Sequence, residues 1–388
     1  MQADQENTNR RHALLRAQVC CVQDQPIAAL KALLPDEDLA FLALFVSPKA
    51  DFQAIVAAAA VHFPHTDVVA CTTAGEIGDN GYENDLIIGV GFPTVHFASQ
   101  SILIEDISHQ NFQSTIDSVT IERLSLRETD GDKGHSFAFL MVDGLSLQED
   151  TLTAAIAPAL REMPLFGGSA GDGVAFEKTW VALNGVVRRD AAVLTLVRTD
   201  LEARVFSIDH LTPTEEQMVV TDADPGRRIV RSINAEPAAA EYARIVGKNP
   251  DELDQFTFAA HPVVVRIGGS HHVRAIQQVN TDGELVFYAA IDEGMVLTVA
   301  KAEQIATHLE SELAELSGAG ALLDILGCDC ILRRIEAEQV QVTRQLSQIL
   351  ADNKVVGFST YGEQFGPLHV NHTMTGVALY APTNGKDG

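Results

Sequence analysis

Basic residues and cysteine are both scarce in this chain of 388 residues. There are 27 lysines and arginines against 53 aspartates and glutamates, which gives a formal net charge of −26. Such a charge repels phosphate polyanions and anionic lipid, and no basic stripe is present, so we expect no nucleic-acid binding. Five cysteines are too few for a disulfide framework in so long a chain, which favours a reducing compartment.

Long apolar runs and targeting segments are missing as well. Residues 1–11 are polar and mixed in charge, and no apolar segment of the kind found in signal peptides follows them. The longest apolar run in the first half, residues 54–61, is far shorter than a bilayer span of about 20 residues. We therefore expect no membrane insertion and, given the cysteine usage, a cytoplasmic location.

The apolar pattern predicts an α/β (α+β) fold of two packed domains, in which mixed β-sheets are flanked by helices. Residues 39–46 are almost continuously apolar, as in a strand covered on both faces, and the β-α-β-α-β order around them predicts parallel neighbours. Acidic residues and two prolines interrupt the pattern at residues 211–225, where we place a linker. The predicted domains are residues 15–210 and 220–385, and no repeat of solenoid length is evident.

Residues 167–171 (GGSAG) match the letters of the nucleophile elbow G-x-S-x-G, centred on Ser169. That motif requires a strand before the serine and a helix after it, whereas the residues that follow predict another strand. A serine hydrolase is thus one hypothesis. The other is a glycine-permitted turn, including Gly168 and Asp172, whose backbone N–H groups bind a carboxylate or ligand oxygen.

Two further loops follow predicted strands. Thr73 and Glu76 lie in residues 71–76 (CTTAGE), and such a loop is either a ligand position or a buried turn. Asp143 ends another apolar strand and is either a helix N-cap or a site residue. We expect the loops at residues 71–76, 167–172 and 357–363 to face one cleft between the two domains.

The second half holds the candidate metal ligands. Cys328 and Cys330 place two thiols on one face of a strand, but a closed zinc site needs two more ligands; burial and a redox role are the alternatives. Histidine is a common ligand of haem iron and zinc, several histidines of this half lie at predicted strand starts or near the C-terminus, and no motif for covalent haem attachment is present. The candidates are His261, His271, His272 and His369, with His261 first because Pro262 favours an extended conformation for it.

Six segments, in order along nearly the whole chain, resemble the FIST family, whose chains pair a FIST N-terminal with a FIST C-terminal domain. They are residues 71–77 with 81–82, 143–146, 166–172, 265–267 with 273–276, 291–296, and 357–363 with 371–373. His372 stands where the resemblance leads us to expect glutamine.

The resemblance implies a sensory module that binds a small ligand and is not an enzyme. One branch of the family comprises haem-binding nitric oxide sensors called NosP, and residues 326–334 (LGCDCILRR) look like that branch. It implies haem b on an axial histidine, two-component regulation of a histidine kinase or of a cyclic-di-GMP synthase or phosphodiesterase, and it allows a homodimer. The alternative is an amino-acid-like metabolite, bound without haem by the turn at residues 167–172 with Tyr361 and Glu363.

Overall fold

One order of elements occurs three times in the computed structural model, which describes residues 12–382 except 110 and 268. The order is strand, helix, strand, helix and then four strands. The first unit contains β1 (Leu15–Cys20), α1 (Pro26–Leu33), β2 (Leu39–Val46), α2 (Phe52–His62), β3 (Asp67–Thr72), β4 (Glu76–Gly78), β5 (Gly81–Glu83) and β6 (Leu86–Pro93). The second contains β7 (Phe97–Ile104), α3 (Gln113–Thr129), β8 (His135–Val142), α4 (Glu149–Leu160), β9 (Leu165–Ser169), β10 (Val181–Leu183), β11 (Val186–Arg188) and β12 (Ala192–Thr199).

The third unit follows this order with two differences: two helices instead of one lie between its second and third strands, and a large insertion follows its first strand, β13 (Glu202–Ile208). The insertion contains β14 (Leu211–Asp224), β15 (Ile229–Ile233), β16 (Glu236–Pro237), α5 (Ala238–Val246), α6 (Gln255–Ala260), β17 (Val263–Ile267), β18 (Ser270–Val273), β19 (Ile276–Val279), β20 (Leu285–Phe287) and β21 (Val296–Ala302). The unit then resumes with α7 (Ile305–Gly318), β22 (Leu322–Cys330), α8 (Ile331–Gln339), α9 (Thr343–Asp352), β23 (Val355–Thr360), β24 (Glu363–Phe365), β25 (Leu368–Val370) and β26 (Met374–Tyr380).

Each unit builds the centre of one mixed sheet from two parallel strands and an antiparallel neighbour, in the orders β6-β2-β3, β12-β8-β9 and β26-β22-β23. The short hairpin of each unit, however, pairs with the sheet of another unit. Hairpin β4–β5 joins β23, β24–β25 joins β9, and β10–β11 joins β3. Because this exchange is circular, no unit completes its own sheet, and the three units form one body.

Phenylalanines from all three sheets meet in one shared core. Phe45 of the first sheet stacks on Phe358 of the third, with ring centroids 4.6 Å apart, and packs edge-to-face with Phe139 of the second, with ring centroids 6.4 Å apart. Phe166 stacks on Phe139 at 5.1 Å, and all four side chains are fully buried. This confirms the predicted α/β class with mixed sheets, since the strands between helices are apolar on both faces.

The insertion forms a fourth, antiparallel sheet with its own core, which includes Tyr242 and Phe287. The linker predicted at residues 211–225 is wrong, because residues 211–224 are the long strand β14. Its end alternates as a half-buried strand does, with Met218 and Val220 buried and Val219 exposed. No helix within the described part of the chain is long and apolar enough to cross a membrane.

Candidate functional site

Three loops with the common pattern hydroxyl–x–Gly–acid, at residues 73–76, 169–172 and 360–363, meet one another. Backbone N–H groups join each pair of loops: Ala74 N to Ser359 O (2.9 Å), Ser169 N to Gly362 O (2.8 Å) and Gly171 N to Thr72 O (3.0 Å). The predicted proximity is therefore confirmed. The predicted cleft is not, because the loops satisfy one another's backbone groups and are mostly buried against each other.

Two of the acidic residues in these loops, Glu76 and Glu363, are buried and hydrogen-bonded within the protein. Thr73 donates to Glu76 and Thr360 donates to Glu363, and both carboxyls are fully buried. Burial raises the pKa of Glu363 well above its usual range and that of Glu76 to about 7. We expect Glu363 to be a neutral carboxylic acid inside the protein, which is a poor binder of a ligand cation.

Asp172 and Tyr361 hold a surface loop instead. The Asp172 carboxylate accepts backbone hydrogen bonds from Phe176 at 2.8 Å and Lys178 at 2.7 Å, and it accepts the Tyr361 hydroxyl. Burial would raise the pKa of Asp172, but these donors outweigh it and lower the pKa. Phe176 in turn stacks on Tyr361 with centroids 4.3 Å apart, so the loop is fixed at both ends.

Ser169, Gly168 and Asp143 are also enclosed. The Ser169 hydroxyl is fully buried and receives a hydrogen bond of 3.0 Å from the amide of Gln364. No helix begins within residues 170–180, so the strand-turn-helix of a nucleophile elbow is not formed. A side chain at Gly168 would meet Thr360 Cγ2 at 2.4 Å. Asp143 accepts hydrogen bonds from Thr179 and from the backbone of residues 145 and 190.

The two cysteines proposed as metal ligands lie in the core. Cys328 and Cys330 are fully buried, and burial raises the pKa of both thiols well above the usual range. Within the described residues, neither belongs to a group of three side chains that could hold a metal. Protonated and enclosed thiols are poor nucleophiles and poor ligands.

The four candidate histidines are scattered. His271 is exposed and His272 half-buried on the strand β18, and they alternate across it as expected. His261 ends α6 and is half-buried. His369 is buried beside Gln364, 3.3 Å from its amide, and burial lowers the pKa of its imidazole. Within the described residues, no three of these histidines form a group that could hold a metal ion.

A cavity of about 240 Å³ lies where the insertion, the third unit and the loop held by Asp172 come together. The insertion contributes α6, β19 and Tyr288; the third unit contributes one face of α8; and Phe176 comes from the loop. The walls are apolar and aromatic. They are formed by Val174, Phe176, Phe258, Ala259, Pro262, Ala275, Ile276, Tyr288, Leu332 and Ile335, with Gln277, Gln339, Glu336 and His372 as the polar members.

Glu336 and His372 are the polar floor of this cavity and belong to a buried chain of hydrogen bonds. His372 Nε2 lies 2.7 Å from Glu336 Oε2, and His210 Nε2 lies 2.9 Å from the same oxygen. Arg333 Nη1 lies 3.1 Å from Nδ1 of His210, and Arg333 Nε donates to Asp329 at 2.8 Å. We call these five residues the polar relay.

Two histidines and a glutamate resemble a metal centre, and their ligand atoms all lie within 4.8 Å of one another. The guanidinium of Arg333 can only donate, however, so Nδ1 of His210 must accept. The hydrogen-bond network therefore assigns the proton to Nε2 of His210, and that nitrogen has no lone pair for a cation. The arrangement fits a hydrogen-bond relay and not a metal site.

The protonation states of the relay support this interpretation. Burial lowers the pKa of His210 to about 4, so this imidazole is neutral at physiological pH. Burial alone would raise the pKa of Glu336, but hydrogen bonds from the two histidines outweigh it and lower the pKa. Glu336 is therefore a carboxylate at the floor of an apolar cavity.

The sequence of this chain matches the models of two known domain families. A FIST N domain model matches residues 40–236, just over half of the chain, and a FIST C domain model matches residues 238–366. The chain belongs to the FIST family. FIST domains are sensory domains of signal transduction. A search of curated proteins finds no match.

The two FIST matches divide at residue 237, inside the insertion, and the cavity has walls from both matched segments. The domain limits of 15–210 and 220–385 stay predictions. In this FIST protein the polar floor was missed by sequence reasoning, although α8 carries a signal: Leu332, Ile335, Glu336 and Gln339 follow the spacing of one helix face. A glutamate on a helix face that also carries Leu332 and Ile335 marks such a position.

Haem does not fit this cavity as formed. Its volume is below the range of about 300–1,000 Å³ typical of pockets for drug-sized ligands, and a porphyrin is larger than most of these. Of the described histidines only His372 lines it, and its Nε2 is hydrogen-bonded to Glu336. None of the four histidines favoured by sequence is on its wall. Haem binding stays a prediction.

Proposed function

We propose that this FIST protein is a sensor whose input is a small organic ligand bound in the cavity between α6, α8 and the loop held by Asp172. The observation that carries the proposal is the cavity itself, which combines apolar and aromatic walls with a compact polar floor. Pockets that bind small molecules have this composition, with a few polar groups that fix orientation.

The cavity is connected to the rest of the molecule by two routes. Phe176, on its wall, stacks on Tyr361, which donates to Asp172 in the loop cluster of the three units. On the floor, the polar relay leads from His372 to Asp329, which accepts the hydroxyl of Tyr82 in β5. A ligand that moves Phe176 therefore changes contacts in the loop cluster, and one that moves the polar floor changes the contact with Tyr82. A switch requires such a coupling between the ligand site and the rest of the molecule.

A pair of tryptophan substitutions on α6 tests the proposal. Ala259 lines the cavity, whereas its neighbour Ala260 is exposed. In ligand-observed NMR with a library of small fragments, we expect wild type and Ala260→Trp to bind a common set of compounds. Ala259→Trp should lose those compounds, because the indole fills the cavity, and thermal unfolding checks that both variants fold.

If the bound fragments bind Ala259→Trp and Ala260→Trp equally well, or if none binds the wild type, the proposal is wrong. Haem titration of the same three proteins, and of alanine variants of His261, His271, His272 and His369, is the second arm. A Soret band that depends on the four sequence-favoured histidines and not on Ala259 would favour the haem sensor instead. The partner, a histidine kinase or cyclic-di-GMP enzyme, stays a prediction.

A further inference from the structure

We propose that the cavity selects a small amine, that is, an apolar or aromatic body bearing an ammonium group that pairs with Glu336. This rests on the proposed function and goes further by naming the chemical class of the ligand. It is carried by the side chains at the cavity floor and by the aromatic rings on its walls.

The carboxylate of Glu336 has capacity for another donor. Its side chain is 12% exposed on the cavity side of α8, while those of His210 and His372 are almost completely buried. Oε1 receives only the longer contact from His210, at 3.0 Å, whereas Oε2 receives both histidines. An ammonium group could therefore bond Oε1 without displacing His372.

The nearest guanidinium of the polar relay, that of Arg333, does not neutralise the Glu336 carboxylate by direct contact. Arg333 is fully buried. Its Nε donates to Asp329 at 2.8 Å, and its Nη1 contacts Nδ1 of His210. Its charge is matched by Asp329, and His210 is neutral. Since a buried charge is stable only when it is paired, a cationic ligand improves the balance at Glu336, whereas an anionic ligand worsens it.

Other groups around the cavity point in the same direction. No lysine or arginine of the described residues is on its wall, so a carboxylate or phosphate would be desolvated without a cationic partner. His372 offers a further hydrogen-bonding atom, because its Nδ1 has no partner among the described residues.

The walls suit the body of such a ligand. Phe176 and Tyr288 face the same cavity with ring centroids 6.3 Å apart, and Phe258 completes an aromatic border. The faces of these rings carry negative potential, which attracts a cation and also favours ring stacking. The cavity is small, so the ligand is about the size of one ring with a short side chain.

Three probes of matched size test this inference: 2-phenylethylamine, 2-phenylethanol and 3-phenylpropionate. Their dissociation constants are measured by calorimetry on wild type, Glu336→Gln and Glu338→Gln; Glu338 is exposed on the same helix and is the control. We expect the amine to bind wild type best and the propionate worst. Glu336→Gln should weaken the amine about tenfold or more, as loss of a charge-assisted hydrogen bond does, and should change 2-phenylethanol little.

Tighter binding of the propionate than of the amine, or an amine affinity that Glu336→Gln leaves unchanged, would overturn the inference and leave the proposed function standing. Absence of binding by all three probes to wild type would instead count against the cavity as a ligand site. If Glu336→Gln does not fold, the order of the three probes on wild type still decides.

Discussion

Glu76 is a buried carboxyl whose protonation can be measured through stability. Burial raises its pKa from an ordinary value of 4.5 to about 7, with hydrogen bonds from Thr73 and from the backbone of Leu86 only partly opposing the shift. The folded state therefore binds a proton more tightly than the unfolded state between these values. This proton binding stabilises the folded state fully below pH 4.5, and the stabilisation is lost as pH rises through about 7.

We expect this residue to give a pH-dependent difference between wild type and Glu76→Gln. Relative to the variant, wild type should lose about 3 kcal/mol of unfolding free energy between pH 4.5 and 7.5, because burial raises the pKa of Glu76 from 4.5 to about 7 in the folded state. Urea unfolding at a series of pH values measures the difference, with the exposed Glu338→Gln as control. Parallel curves for wild type and Glu76→Gln would contradict the assigned pKa.

Ser169 provides a second test at this scale, on whether the chain is an enzyme. Because its hydroxyl is buried and hydrogen-bonded to Gln364, we expect an active-site phosphonate to leave Ser169 unlabelled. Ser169→Ala should cost about 1 kcal/mol of stability, the net value of one buried hydrogen bond, and should leave fragment binding intact. Covalent labelling of Ser169, detected by mass spectrometry, would restore the hydrolase hypothesis.

At the scale of elements, the local apolar pattern predicts a strand or a helix correctly where the structure depends on that segment alone. The apolar run Leu39–Val46 is the strand β2, with the expected bounds. Residues 211–224 mislead because acidic residues and a proline suggest a linker. Alternating Met218, Val219 and Val220 nevertheless form a strand, with a register irregularity between Pro213 and Gln217.

The contact between hairpin β4–β5 and α9 is testable with two glycines of similar backbone conformation. Gly81 has φ +81°, and a Cβ there would lie 2.2 Å from the carbonyl oxygen of Ser347. Gly173 has φ +75° with no described atom within 4 Å of such a Cβ. Both alanine substitutions should lower the free energy of unfolding by about 1 kcal/mol, because alanine disfavours a positive φ. Gly81→Ala should lower it by about 1–3 kcal/mol more, because its Cβ clashes with Ser347. Equal unfolding free energies would mean that the hairpin is not docked.

At the scale of the whole molecule, the circular exchange of hairpins could not be predicted from sequence. Hairpin β4–β5 pairs with a strand more than 250 residues away, and no local signal specifies such a partner. The cavity was missed for the same reason. Glu336 lies on a recognisable helix face, but His210 and His372 reach it from loops 126 and 36 residues distant in sequence.

This architecture predicts which parts of the chain fold alone. A fragment ending at residue 210 lacks β24–β25, which complete the second sheet, so it should give a poorly dispersed NMR spectrum. Replacing residues 212–301 by a short glycine-serine linker should preserve a cooperative transition, because Glu303 N is bonded to His210 O at 2.8 Å and the two ends of the body are adjacent. A well-dispersed spectrum for the fragment would contradict the shared core.

The central claim is that the cavity floored by Glu336 and His372 is the input site of this FIST protein. A crystal structure of the protein with 2-phenylethylamine tests it most directly. The account predicts the ring of the probe packed against Phe176 and Tyr288, with its nitrogen within hydrogen-bond distance of Glu336. Binding of the probe anywhere else, with this cavity left without it, would contradict the claim.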